Sequence, residues 1–74
     1  MKQKVRFGIL GPGKIANRFT DSFVHVPDAE VVAIASRDPE RARAFAEKHA
    51  IARHYDTYEK LVNDPEVDII YVAT

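Results

Sequence analysis

Three observations predict an α/β fold built on a parallel sheet of strand order 3-2-1-4. Short apolar runs of strand type alternate with segments of helical periodicity along all 74 residues. The second and last of these runs are apolar at successive positions, which suits strands covered on both faces. A glycine-rich turn joins the first strand to the first helix.

The elements follow in order. Val5 to Leu10 places Val5, Phe7 and Ile9 on one face and predicts a strand. From Lys14 to His25 the apolar residues Ile15, Phe19 and Phe23 recur every four positions, which is helical spacing. Pro27-Asp28 ends that helix. Glu30 to Ser36 predicts the second strand. Asp38 is a good N-cap and Pro39 suits a first helical position, so a helix with Ala42, Phe45, Ala46 and His49 on its apolar side follows. Arg53 to Tyr55 predicts a short third strand. Asp56 with Glu59 has the spacing of a capping box for a short helix through Val62. Asp64-Pro65 marks a turn, and Val67 to Ala73 predicts the last strand. A crossover from the third strand to the fourth passes over the first and puts a switch point beside Gly11. The chain reaches Thr74 at the edge of the sheet where ligands bind in such folds. It therefore reads as a partial domain, residues 1–74, truncated after the fourth strand.

Composition narrows the function. Eleven acidic residues balance eleven basic ones, so no field of one sign invites nucleic acid or an anionic membrane. No apolar run approaches the length of a bilayer span, and Met1 to Lys4 leads straight into a strand with no secretory signal. The expectation is a soluble cytoplasmic protein. There are no cysteines, which removes disulfides and thiolate metal sites. His25, His49 and His54 are scattered without metal-ligand spacing, so no metal site is assigned. The tyrosines Tyr55, Tyr58 and Tyr71 read as packing residues, and no residue is assigned a catalytic role.

The turn Gly11-Pro12-Gly13-Lys14-Ile15-Ala16 has the form G-x-G-x-x-A and is the first candidate cofactor-binding segment. Gly11 permits the tight turn out of the strand, and Gly13 lets backbone approach a pyrophosphate. Ala16 lets helix and sheet pack closely. The helix N-terminus offers unpaired N–H groups to the phosphates, with Lys14 facing solvent. The overlapping run Gly8 to Lys14 has P-loop spacing, but Ile15 stands where magnesium binding needs Ser or Thr. Gly8 also falls within the strand.

Binders of the unphosphorylated dinucleotide usually place a carboxylate after the second strand, on the ribose 2′-hydroxyl. Ser36-Arg37 stands there instead, with Arg41 one helical turn further on. A guanidinium suits a 2′-phosphate through paired charge-assisted bonds. Asp38 is assigned to capping. The cofactor expected is NADP(H), with NAD(H) the second choice.

Three runs carry a family resemblance: FGILGPGKIANRF, VVAIASRDPERARAFAEKH and YEKLVNDPEVDIIYVAT. Together they resemble the Gfo/Idh/MocA oxidoreductases over essentially the whole chain. The resemblance implies a Rossmann-type nucleotide-binding domain and hydride transfer between NAD(P) and a sugar, cyclitol or related polyol. It matches Gly11, Gly13 and Ala16 to the cofactor turn, and Ser36 and Arg37 to the adenosine ribose and its phosphate. By the same resemblance Ala73 and Thr74 match the start of a loop that lines the cofactor. The family's Glu-Lys-Pro motif, its catalytic lysine and its substrate domain have no counterpart here, so this segment alone is expected to be inactive.

Two other classes compete. A methyltransferase also uses a glycine-rich first turn but wants an acidic residue where Ser36-Arg37 stands. A non-enzymatic nucleotide sensor would share every residue named. The last strand, apolar on both faces, is expected to leave an edge through which the isolated segment self-associates.

Overall fold

The protein is described here from a computed structural model covering residues 4–22 and 26–73. Four strands and three helices alternate: β1 (Val5–Leu10), α1 (Lys14–Ser22), β2 (Ala29–Ala35), α2 (Pro39–His49), β3 (Arg53–Tyr55), α3 (Tyr58–Val62) and β4 (Ile69–Val72). They form one sheet of order β3-β2-β1-β4, as the alternation of elements predicts. Every pairing is parallel. On β1, Phe7 to Leu10 lie opposite Ile69 to Val72 of β4, and Val5 to Leu10 run alongside Ala29 to Ala35 of β2.

Alternation along the strands sends side chains to two cores, one on each face. Ile9 and Ile34 meet Ala16 of α1 and Phe45 and Ala46 of α2 on the first face, with Ile51 and Ala73 completing the cluster. Phe19 joins this side by stacking on Tyr71, with centroids 3.9 Å apart, and by an edge contact to Phe7 at 5.7 Å. On the second face Ala33 and Ala35 pack with Leu61 of α3, flanked by Val67 and Ile70. Ala16 is fully buried, which is the close helix–sheet approach expected of it.

Gly8 does lie within β1, and its reason is packing on the second face. A β-carbon there would sit 2.8 Å from Leu61 Cδ1 and 3.0 Å from Val67 Cγ1. Glycine lets α3 and the segment before β4 close on the sheet.

Several boundaries differ from the sequence reading. β2 begins at Ala29 and stops before Ser36, whose N–H instead bonds the Tyr55 carbonyl at 3.1 Å. β4 is shorter than the apolar run and begins at Ile69; Val67 N–H turns back to Asp64 O instead of joining the sheet. The cap of α3 is Thr57, whose hydroxyl accepts the Lys60 N–H at 3.2 Å. Asp56, predicted to cap, forms an ion pair with Lys60 at 2.9 Å instead, which holds its pKa below the usual carboxylate range. α2 keeps its predicted start: the Asp38 carboxylate accepts from Glu40 N–H at 3.0 Å and Arg41 N–H at 3.4 Å. Its end is set by Ala50, in the left-handed conformation at φ 55°. Ile15 is exposed and not part of the apolar face of α1. The predicted end of that helix, including Phe23 and His25, lies outside the described residues.

The turn before β4 is tied down from inside. The Asp64 side chain is 1% exposed. It accepts the Tyr55 hydroxyl at 2.6 Å, Arg53 Nη1 at 2.7 Å and its neighbour Glu66 N–H at 2.8 Å. Burial pushes this carboxyl up, but those three donors outweigh it and hold it below the usual carboxylate range. The same bond, with burial, raises the Tyr55 phenol. One buried charge thus fastens β3 to the approach to β4. From β1, Arg6 holds Asp68 and Glu66 of the same approach to β4.

Candidate dinucleotide site

All four strands point their C-terminal ends the same way, so the segments that leave them gather at one edge of the sheet. That edge carries a cleft of about 300 Å³ lined by Gly11, Pro12, Gly13, Ser36, Arg37, Asp38, Arg41, Tyr58 and Ala73. Residues far apart in sequence meet there because β1 lies between β2 and β4.

Gly11 leaves β1 at φ 98°, a backbone conformation that favours glycine. Its N–H bonds Ala35 O at 2.9 Å, which pins the turn to the end of β2. Among the described residues nothing constrains Gly13, since a β-carbon there meets none of their atoms within 4 Å. The space it leaves free opens at the start of α1, where N–H groups lack intrahelical partners. A cradle of this kind fits a pyrophosphate.

Ser36 is buried, and its hydroxyl oxygen accepts the Asp38 N–H at 3.1 Å. Its own O–H proton remains a donor. Arg37 is exposed, with its guanidinium carbon 5.6 Å from the centre of the Tyr58 ring. Arg41 Nη2 donates to Pro12 O at 3.0 Å, which joins α2 to the glycine turn. The Asp38 carboxylate, engaged on two helix N–H groups, serves the capping role assigned to it.

Ala73 is buried against the first core, its N–H bonded to Leu10 O at 2.9 Å, and also lines the cleft. Of the other candidate residues, Ala16 lies beneath the cleft in the core. Lys14 and Ile15 are exposed at the head of α1 and do not line the cleft. Thr74 lies outside the described residues.

Two contributors escaped the sequence reading. Tyr58, read as packing alone, also lines the cleft. Its signal was position: it opens the helix after β3, and each strand-to-helix connection of a parallel sheet reaches the same edge. Asn17 supports the turn from behind, donating to Gly13 O at 3.0 Å while its oxygen lies 2.6 Å from His49 Nε2. His49, read on the apolar side of its helix, thus has a polar partner as well, its ring packed on Phe45. Among the described residues no group of three metal-ligating side chains is assembled, and no helix is long and apolar enough to cross a membrane.

Residues 5–74 match the family described as an oxidoreductase family with an NAD-binding Rossmann fold, Gfo/Idh/MocA. The chain belongs to this family. Among curated Gfo/Idh/MocA-like relatives, the trans-1,2-dihydrobenzene-1,2-diol dehydrogenase of Mus musculus is 46% identical over 72 residues, 95% of this chain and 22% of that protein. Its Danio rerio counterpart is 44% identical over 72 residues, with the same coverage. A 3-ketoreductase from Actinomadura kijaniata, solved in complex with NADP and TDP-benzene, superposes with a TM-score of 0.87 at 34% identity, over 95% of this chain and 22% of that one. The WlbA dehydrogenase from Bordetella pertussis, in complex with NADH and UDP-GlcNAcA, superposes with a TM-score of 0.86 at 26% identity, over 97% and 22%. The chain spans about a fifth of the length of these relatives.

Proposed function

We propose that the cleft binds NADP(H) in preference to NAD(H), as part of the cofactor-binding domain of an oxidoreductase acting on a sugar, cyclitol or related polyol. The observation that carries this reading is the convergence of the open Gly11–Gly13 turn with Ser36, Arg37 and Arg41 in one cleft, its one carboxylate already bound to helix N–H groups. The glycine turn and the head of α1 would hold the pyrophosphate. Ser36, Arg37 and Arg41 would surround the 2′-phosphate. When bound, the nicotinamide supplies the acceptor or donor of a hydride at a carbon that alternates between alcohol and ketone. The residues of this chain bind and orient, and none is proposed to move the accompanying proton. The substrate-holding part of the protein is proposed to lie outside residues 1–74.

Family membership supports this enzymatic reading over a nucleotide sensor or a methyltransferase. The relatives' names, a trans-1,2-dihydrobenzene-1,2-diol dehydrogenase and a dehydrogenase solved with UDP-GlcNAcA, support a hydroxylated ring as substrate.

The test is a calorimetric or fluorescence titration with NADPH and NADH. Replacing Arg37 by alanine should weaken NADPH binding by about 1–3 kcal/mol, the scale of charge-assisted bonds, and leave NADH binding unchanged. Equal losses for both would show Arg37 acting through the fold.

A second expectation concerns association. β4 is an edge strand of this sheet, with Ile69 47% and Val72 61% exposed. An apolar edge templates pairing with another chain, so a polypeptide of these 74 residues alone should form dimers or larger species at micromolar concentration. Light scattering that reports a dispersed monomer with a cooperative melt would refute this.

A further inference from the structure

We propose that Tyr58 is a positioning residue for cofactor selection, its ring face holding the Arg37 guanidinium ready for the 2′-phosphate. The proposal rests on the reading that Arg37 meets that phosphate. Arg37 is exposed and lies two residues past the end of β2, where a long side chain would otherwise sample many rotamers. The ring of Tyr58 lies 5.6 Å from its guanidinium carbon, within the reach of a cation–π interaction. The ring itself is anchored: Tyr58 is the first residue of α3 and packs on the Ala33, Ala35 and Leu61 cluster.

The chemistry of this support matters for selection. A carboxylate partner would hold Arg37 equally well but would neutralise it and repel a dianionic phosphate. An aromatic face attracts the cation while leaving its N–H donors free to point into the cleft. None of the ion pairs among the described residues involves Arg37. The nearest acidic side chain in sequence, Asp38, faces the N–H groups of α2. Tyr58 is thus the partner that orders Arg37 without quenching it.

Two substitutions separate the ring face from packing. Tyr58→Leu keeps apolar bulk over Leu61 but removes the π face, whereas Tyr58→Phe keeps the face and removes the hydroxyl. Dissociation constants for NADPH and NADH are measured on the wild-type protein and both variants. Tyr58→Leu should raise the NADPH constant about three- to tenfold with NADH unchanged, the span of a partly exposed cation–π contact. Tyr58→Phe should retain the wild-type ratio of the two constants. That ratio is read within each variant, so a lower folded fraction does not mask the result. If the wild type prefers NADPH and Tyr58→Leu keeps its ratio, the proposal falls and the NADP(H) reading stands. If Tyr58→Phe loses as much as Tyr58→Leu, the hydroxyl and not the ring is responsible, and the proposal also falls. A wild type with no preference for NADPH overturns both readings together.

Discussion

Replacing Gly13 by valine should abolish binding of both NADPH and NADH while leaving the fold intact. A β-carbon at this position meets no atom of the described residues within 4 Å, so it has room among them. The space it would fill is the approach to the α1 N-terminus, where the pyrophosphate is proposed to lie. The loss should be at least about a hundredfold for each cofactor, because the blocked group is common to both. The melting transition should stay close to wild type. This contrasts with Gly8, where an added β-carbon meets Leu61 and Val67 and the damage falls on packing. Undiminished cofactor binding by the valine variant would remove the glycine turn from the site.

The second large effect is on stability. Asp64→Ala should destabilise the protein by about 3 kcal/mol, the scale of losing several bonds to one buried charge. The alanine leaves the Tyr55 hydroxyl and the Glu66 N–H without their acceptor, while Arg53, 40% exposed, can turn to water. Asp64→Asn should cost less, since an amide oxygen can still accept two of the three donors. The pH dependence has a definite sign. The folded carboxyl sits below its ordinary value of about 3.9, so its contribution is present above that pH and is lost as the pH falls through the lower folded value. Urea melts of the wild type and Asp64→Asn should therefore differ most at neutral pH and converge below about pH 4. A constant difference across that range would show that the charge of Asp64 contributes nothing.

The parallel order and the glycine turn were legible because each rests on a local pattern. The apolar runs have strand length, Asp38-Pro39 is a helix start read within two residues, and Gly11 to Ala16 is a contiguous motif. Ser36, Arg37 and Arg41 could be named because they follow a recognisable strand. The errors arose where two local options were nearly equal. Asp56 and Thr57 are both good caps one residue apart, and the ion pair with Lys60 drew Asp56 away. Val67 had the composition of a strand, but the turn around Asp64 held its N–H.

By itself the sequence determined the alternation of elements, the positions that turn or cap the chain, and the chemical types available at the end of each strand. These are properties of one to about ten neighbouring residues. Only the tertiary structure decided that Tyr58 stands under Arg37, that Arg41 holds Pro12, and that Asp64 gathers Tyr55 and Arg53. Each of these contacts joins segments brought together by the pairing of β2 with β3 and of β1 with its neighbours. No periodicity encodes such contacts, because a side chain's partner across a sheet is set by register and by packing of helices on its faces.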